Sequence, residues 1–318
     1  MKKIDYETHL STKNFIEAKA RLKSAPSGGS KAKSPFDMSV QERIDLMDRY
    51  EVQTQIVSCG GGLEALDLET ATYVAKTAND EFAEMSVKYP GRFLGYATLI
   101  PQDIDASLRE LERCRKELGF PAWNTHTNFT NSYIDDEEYF PLLELAAELN
   151  MFVYLHPGPP SIDRLTGYGP VLNMGLGYHV DTAITMTRLI CKGVFDKLPN
   201  LKMLMGHYGE TMPFMIDRMD NFAVQGEAGM LVPRGKECNQ HNLDYYFSNN
   251  IYVTTSGNFS KAAFICARER LGMDHILFGT DFPIENYETS MNFLNSMEMT
   301  AEEMENLYFR NSERIFGI

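Results

Sequence analysis

Apolar, β-rich residues along this chain come in short runs that rarely alternate with polar ones. Eight such runs recur: "IDYETHL" (4–10), "TQIVSC" (54–59), "RFLGYATLI" (92–100), "PAWNTHT" (121–127), "MFVYLH" (151–156), "LKMLMGH" (201–207), "IYVTTS" (251–256) and "HILFGTD" (275–281). Runs this short and this continuous fit strands buried on both faces, as in a parallel sheet. Segments with helical spacing lie between them. "IDDEEYFPLLELAAELN" (134–150) opens on acidic residues that suit a helix N-terminus and closes on Asn150, a suitable C-cap. "TAEEMENLYFRNSERIF" (300–316) opens with Thr300 and Glu303 in capping-box spacing, and another helix starts near Met212. Eight strands alternating with helices predict a distorted (β/α)8 TIM barrel over a single domain, 1–318, with a doubly wound sheet as the second possibility.

Two stretches depart from simple barrel units. "KSAPSGGSKAKSPF" (23–36) is rich in Ser, Gly, Pro and Lys and reads as a mobile loop. It follows the first strand, so a barrel places it on the active-site face, as a lid or as a plain linker. Residues 222–248, before the seventh strand, read as an insertion that makes a subunit contact, a substrate wall or surface elaboration.

Charge narrows the partners. A net charge of -14 argues against nucleic acid, where binding rests on Lys and Arg neutralising phosphates. It does not exclude a small carboxylate held by a few arginines or a metal. No apolar run approaches the ~20 residues a membrane span needs, and "MKKIDYETHL" lacks the apolar segment of a signal peptide. The five cysteines, at 59, 114, 191, 238 and 266, are scattered and form no CxxC pair. They suggest reduced thiols and a cytoplasmic protein.

Chemistry gathers at the strand ends. The first strand carries Glu7 and His9, spaced to share one face. The fourth ends near His126, the fifth at His156, the sixth at His207 and the eighth at Asp281. In a barrel all these ends converge on one rim. A single histidine after a strand is an ordinary core or loop residue. Glu7, His9, His156 and Asp281 together offer two imidazoles and two carboxylates, a donor set for one divalent transition metal, Zn or Mn.

The segments "ETHL", "NTHTNF…YIDDEEYFPLLELAAELNMFVYLHPGPP", "LPNLKMLMGHYGETMPFMIDRMDN", "NNIYVTTSGNF" and "ILFGTDFP" occur in the order found in one known group. The chain resembles the amidohydrolase superfamily, in the decarboxylase branch that includes γ-resorcylate, 5-carboxyvanillate and aminocarboxymuconate-semialdehyde decarboxylases. The resemblance spans nearly the whole chain. It implies that Glu7, His9, His156 and Asp281 bind the metal. It makes His207 an active-site histidine beyond the metal ligands, with Glu210 as its orienting partner. Arg43 resembles an arginine that binds a substrate carboxylate, unless it lies on a helix surface. Arg218 resembles an arginine near the site, acting in its own or a neighbouring subunit, unless it pairs with Asp217 or Asp220. His126 is a further substrate contact, and Trp123 reads as packing. Homodimers or homotetramers are implied as well.

Where hydrolytic relatives open with His-x-His, this chain has Glu-x-His, which moves the expectation from hydrolysis or hydration of a small cyclic or unsaturated acid toward decarboxylation. Losing CO2 directly from an aromatic acid leaves an aryl carbanion in the ring plane, beyond stabilisation by the π-system. Protonating the carboxyl-bearing carbon first avoids it, and an ortho phenolate neutralises the resulting charge. The expected substrate is a small aromatic carboxylic acid with an ortho hydroxyl, and Asp281 is the expected general acid.

Overall fold

The computed structural model describes residues 1–22, 38–59, 63, 66–129, 132–165, 167–227 and 239–317. Its centre is an eight-stranded parallel sheet in sequential order: β1 (Lys3–His9), β2 (Val52–Ser58), β3 (Phe93–Ala97), β4 (Ala122–His126), β5 (Phe152–His156), β6 (Lys202–Met205), β7 (Ile251–Thr254) and β8 (Ile276–Leu277). The last strand returns to the first. Tyr6 N donates to Phe278 O at 2.9 Å, His9 N to Phe282 O at 2.7 Å, and Thr8 bridges Phe282 in parallel. That closure makes a barrel and rules out the doubly wound sheet, which would leave two open edges.

Two apolar layers hold the barrel. Inside it, Ile4, Tyr6, Ile56, Tyr96, Phe152 and Tyr154 form one buried cluster, against which Phe316 packs from the C-terminal segment. Outside it, residues such as Phe82, Phe120, Trp123, Met203 and Ile216 join strands to helices. Trp123 is fully buried there, as a packing residue.

The strands are shorter than their apolar runs. The sixth run stops at Met205 and the eighth at Leu277, because the chain then turns away from the ladder to present His207 and Asp281. The segment expected as one helix over 134–150 begins instead as a 3-10 turn, Glu137–Tyr139, followed by the helix Phe140–Glu148 with Pro141 in its first turn. The acidic residues ahead of it have other partners: Asp136 Oδ2 accepts from Tyr133 N at 2.9 Å, and Asp135 is buried against Arg188 and Lys192. Asn150 follows that helix at φ 51, the left-handed position suited to Asn. The capping box of Thr300 and Glu303 is formed, but 300–316 divides into Ala301–Glu305, a wider π turn over Asn306–Arg310, and Asn311–Phe316.

The expected lid, 23–36, lies outside the described residues. Of the 222–248 stretch, 228–238 lie outside the described residues; its start continues the helix Met212–Glu227, and its end is the helix Leu243–Asn249, which feeds directly into β7. Asn250 Nδ2 donates to Leu201 O at 2.9 Å, beside the start of β6, so this helix ends at the strand-start rim. No helix among the described residues is long and apolar enough to cross a membrane. Cys114 and Cys266 are free thiols, and Cys238 lies outside the described residues.

Candidate metal centre and active site

On a regular strand, Tyr6 and Glu7 would face opposite sides. Here the β1–β2 register slips between Asp5 and Thr8. The irregularity switches parity, so Ile4 and Tyr6 fill the barrel while Glu7 and His9 both turn toward its mouth. Thr8 lies between them, its hydroxyl donating to Ile56 O at 3.0 Å.

The ligand atoms of Glu7, His9, His156 and Asp281 all lie within 4.8 Å of one another. His9 Nε2 is 3.0 Å from Asp281 Oδ1, His156 Nε2 is 3.3 Å from His9 Nε2, and His156 Nε2 is 3.9 Å from Glu7 Oε1. Donor atoms about 2.1 Å from one ion stand roughly 3.0 Å apart at right angles and roughly 3.4 Å apart at the tetrahedral angle.

The outer ring nitrogens decide what the inner ones can do. His156 Nδ1–H donates to Pro157 O at 2.7 Å, which leaves Nε2 a lone pair. His9 Nδ1 lies 2.8 Å from Ser58 Oγ, whose own proton goes to Thr8 O. His9 Nδ1–H is therefore the donor, and its Nε2 also faces inward as a lone pair. Two lone pairs so close need a cation between them. Glu7 makes the same demand: Oε2 accepts from Thr254 Oγ1 at 2.6 Å, but Oε1 is buried with no hydrogen-bond partner. Two carboxylates match the charge of one divalent ion, and the four residues fit such a group.

Electrostatics sort the residues further. Burial, together with the nearby His9 and His126, pushes His156 well below the usual imidazole range, which keeps it a neutral donor. Burial lifts Glu7 above its ordinary value, opposed by His207 and reinforced by Asp281. Asp281 goes the other way: burial pushes it up, but the neighbouring His207 and His9 outweigh that and hold it well below the usual range. Burial likewise opposes charge on His207, yet Glu210, Asp281 and Glu7 hold it well above its ordinary value.

His207 reaches the centre through a left-handed turn. His207, Tyr208, Gly209 and Glu210 have φ of 52, 60, 76 and 59°, and Asp281 stands at 61°. Such positions in residues other than glycine cost about 1–3 kcal/mol each and cluster where geometry serves function. The turn folds Glu210 back onto His207, whose Nδ1 lies 3.0 Å from Glu210 Oε1. Its Nε2 is then 4.0 Å from both Glu7 Oε1 and Asp281 Oδ2.

Space behind His207 is reserved by a glycine. A Cβ on Gly257, itself at φ +58°, would lie 2.7 Å from His207 Cδ2 and 3.0 Å from Nε2. Gly257→Ala should displace the imidazole and lower kcat by about 10- to 100-fold, since a 1 Å misplacement can cost that much. Strain and overlap should destabilise the fold by about 1–3 kcal/mol. Initial rates and thermal denaturation of the variant check both effects.

His126 is paired in register with His156, their ring centroids 5.7 Å apart, so it flanks the centre. The two arginines lie elsewhere. Arg43 is neither on a helix surface nor open to a ligand. It is fully buried, donating to His9 O at 2.6 Å and Gln55 Oε1 at 2.9 Å, with its guanidinium 4.9 Å from the Phe282 ring centroid. In this position it braces the end of β1. Arg218 is exposed on the helix Met212–Glu227, 4.4 Å from the Phe222 ring centroid. The carboxylates expected to pair with it have other partners: Asp217 meets Arg270, and Asp220 accepts from Leu243 N.

Two features escaped sequence reasoning. Asp5, fully buried, accepts from Thr280 N at 3.1 Å, Thr280 Oγ1 at 2.6 Å and Tyr287 OH, which ties the Asp281 turn to β1. His179 Nδ1 meets the second oxygen of Glu210. Its place near the start of the helix Tyr178–Cys191 gave no strand-end signal. The only hint was that a buried glutamate serving one histidine has a second oxygen to satisfy.

A family model described as Amidohydrolase matches residues 4–318. A γ-resorcylate decarboxylase of Polaromonas sp. (strain JS666) is 33% identical over 293 residues, 88% of each chain. The crystal structure of a dihydroxybenzoic acid decarboxylase from Polaromonas sp. JS666, with bound manganese and the inhibitor 2-nitroresorcinol, superposes with a TM-score of 0.87 at 31% identity, over 99% of this chain and 96% of that one. A 5-carboxyvanillate decarboxylase from Sphingomonas paucimobilis superposes with a TM-score of 0.89 at 27% identity, over 100% of this chain and 99% of that one.

Proposed function

The chain belongs to the amidohydrolase family, and on that footing we propose that it is a metal-dependent decarboxylase of an aromatic acid bearing a hydroxyl beside its carboxyl group. The observation that carries this reading is the pair of inward imidazole lone pairs, 3.3 Å apart, flanked by Glu7 and Asp281 at the barrel mouth. Resemblance to the γ-resorcylate enzyme over most of both chains supplies the reaction class.

Glu7, His9, His156 and Asp281 hold one divalent ion. Manganese, which the Polaromonas structure contains, is the proposed choice. When bound, the ion supplies Lewis acidity that draws negative charge from nearby phenolic and carboxyl oxygens. Asp281 uses Oδ1 toward His9, which leaves Oδ2 on the His207 side to handle a proton. It takes the phenolic proton as the acid enters and passes it to the ring carbon that bears the carboxyl group. That carbon becomes tetrahedral. The bond to the carboxyl carbon then breaks, its electron pair returns to the ring, and CO2 leaves as aromaticity is restored. The remaining phenolate takes up a proton from solvent, so each turnover consumes one proton. His207 donates from Nε2 to the substrate carboxylate, with Glu210 orienting it. His126 contacts the ring substituents. A cation that gripped the departing carboxylate tightly would favour the ground state, so the burial of Arg43 away from the mouth suits the chemistry.

A homodimer or homotetramer is part of the proposal. Tyr168 and Val171, each 84% exposed, and Phe214, 80% exposed, offer apolar surface suited to a second subunit. Arg218 would then serve a neighbouring site. Five scattered cysteines with no CxxC pair support a reducing, cytoplasmic setting.

The manganese-loaded protein should release CO2 from 2,6-dihydroxybenzoate or another ortho-hydroxybenzoate and leave lactones intact. Hydrolysis of lactones without CO2 release across the panel would overturn the decarboxylase reading in favour of a hydrolase of the same family.

A further inference from the structure

Glu210 is fully buried at its side chain, and each oxygen faces a different imidazole: Oε1 meets His207 Nδ1, and Oε2 meets His179 Nδ1. The rings of the two histidines also touch, edge to face, with centroids 4.6 Å apart at 76°. On the far side of His207 stands Gly257, close enough that a Cβ would overlap the ring. His207 is thus clamped between His179 and the Gly257 backbone while Glu210 holds its Nδ1. We propose that His179 is a positioning residue of the active site. By donating to Glu210 and bracing the His207 ring, it fixes the direction of His207, so that Nε2 stays aimed between Glu7 and Asp281.

The physical reason lies in the second oxygen of Glu210. A carboxylate sealed from water with one donor short is costly, and it relieves that cost by rotating or by taking a proton. A rotated Glu210 lets go of His207 Nδ1. A protonated one donates to Nδ1 instead of accepting from it, which strips His207 of its Nδ1 proton and weakens what Nε2 can donate. Either change alters what His207 offers a carboxylate at the mouth. His179 blocks both routes by filling the vacant acceptor. Its own location is firmly set. The helix it opens is tied to the end of β4 through Thr127 Oγ1, which donates to Asp181 Oδ2 at 2.5 Å, and by the close approach of Gly177 to Leu165 O.

Three variants separate donation from bulk. His179→Asn keeps a donor attached to Cγ, His179→Phe keeps a ring without a donor, and His179→Ala removes both. With manganese-loaded protein and 2,6-dihydroxybenzoate, Ala and Phe should lose about 10- to 100-fold in kcat. KM and metal content should stay within about twofold, and Asn should recover to within about fivefold of the parent. This kinetic arm rests on the decarboxylase reading. A second arm does not: with ¹⁵N-labelled histidine, the His207 Nδ1 signal, assigned from the loss of one of seven histidine spin systems in a His207→Gln sample, should report a protonated Nδ1 in the parent and in Asn. It should report a mixture in Ala and Phe. Full activity and an unchanged signal in His179→Phe would overturn the inference, as would an Asn variant no better than Ala in either arm. A parent protein that releases no CO2 while the signals behave as stated would count against the proposed function alone. Should Phe fail to fold, the Asn and Ala pair still decides.

Discussion

Replacing Asp281 by asparagine should bring turnover down by at least about 10³-fold while part of the metal and substrate binding survives. A general acid contributes about 10²–10⁴-fold, and this side chain is proposed to carry the only proton delivered to the ring carbon. Asparagine keeps the shape and can still present a carbonyl oxygen where Oδ1 stands, 3.0 Å from His9 Nε2. It has no proton to exchange. Its amide also removes one of the two negative charges at the centre, so metal should bind more weakly but measurably. CO2 release, metal content and binding of an aromatic acid, measured on the same preparation, distinguish loss of chemistry from loss of the site. A variant turning over at the parent rate would remove Asp281 as the acid.

His156→Ala should fail earlier in the sequence of events, by losing the ion. Its Nε2 lies 3.3 Å from His9 Nε2 and 3.9 Å from Glu7 Oε1, and its other nitrogen is fixed to the Pro157 carbonyl, so nothing else on β5 can replace it. Mutating even an outer partner of a metal ligand costs about 10–100-fold in affinity, and removing a ligand should exceed that. Elemental analysis after dialysis should find little metal, and activity should fall to background. His126→Ala is the matched control. That residue pairs with His156 across the sheet but lies outside the four ligands, so its variant should stay loaded. Full occupancy in His156→Ala would take the residue out of the ligand set.

The two variants test different halves of one arrangement. Asp281 is held near His9 by Thr280, whose amide and hydroxyl both reach Asp5 on β1. His156 is held by its place in the strand ladder. A shift in the Asp281 turn can therefore spoil proton transfer while leaving the ion in place, whereas damage at β5 empties the centre.

The sequence by itself determined the eight strands, their parallel arrangement and the residue types that end them, because those follow from local apolar runs and from helix caps such as Thr300 with Glu303. It also marked Glu7, His9, His156, His207 and Asp281 as residues that a barrel would gather at one rim. Only the tertiary structure decided which atoms meet. His9 and Asp281 are 272 positions apart, and their 3.0 Å approach depends on β8 closing against β1. The parity switch in β1 arises from its register against β2, which no alternation within "DYETHL" can reveal. Arg43 looks like a ligand-binding or surface arginine in its own helix, and only packing shows it sealed behind His9. His179 sits on a helix with no local mark of function, and it gained one when the left-handed turn at His207 brought Glu210 against it. Local patterns record what a segment can form on its own; long-range closure, register and burial set the distances on which the chemistry depends.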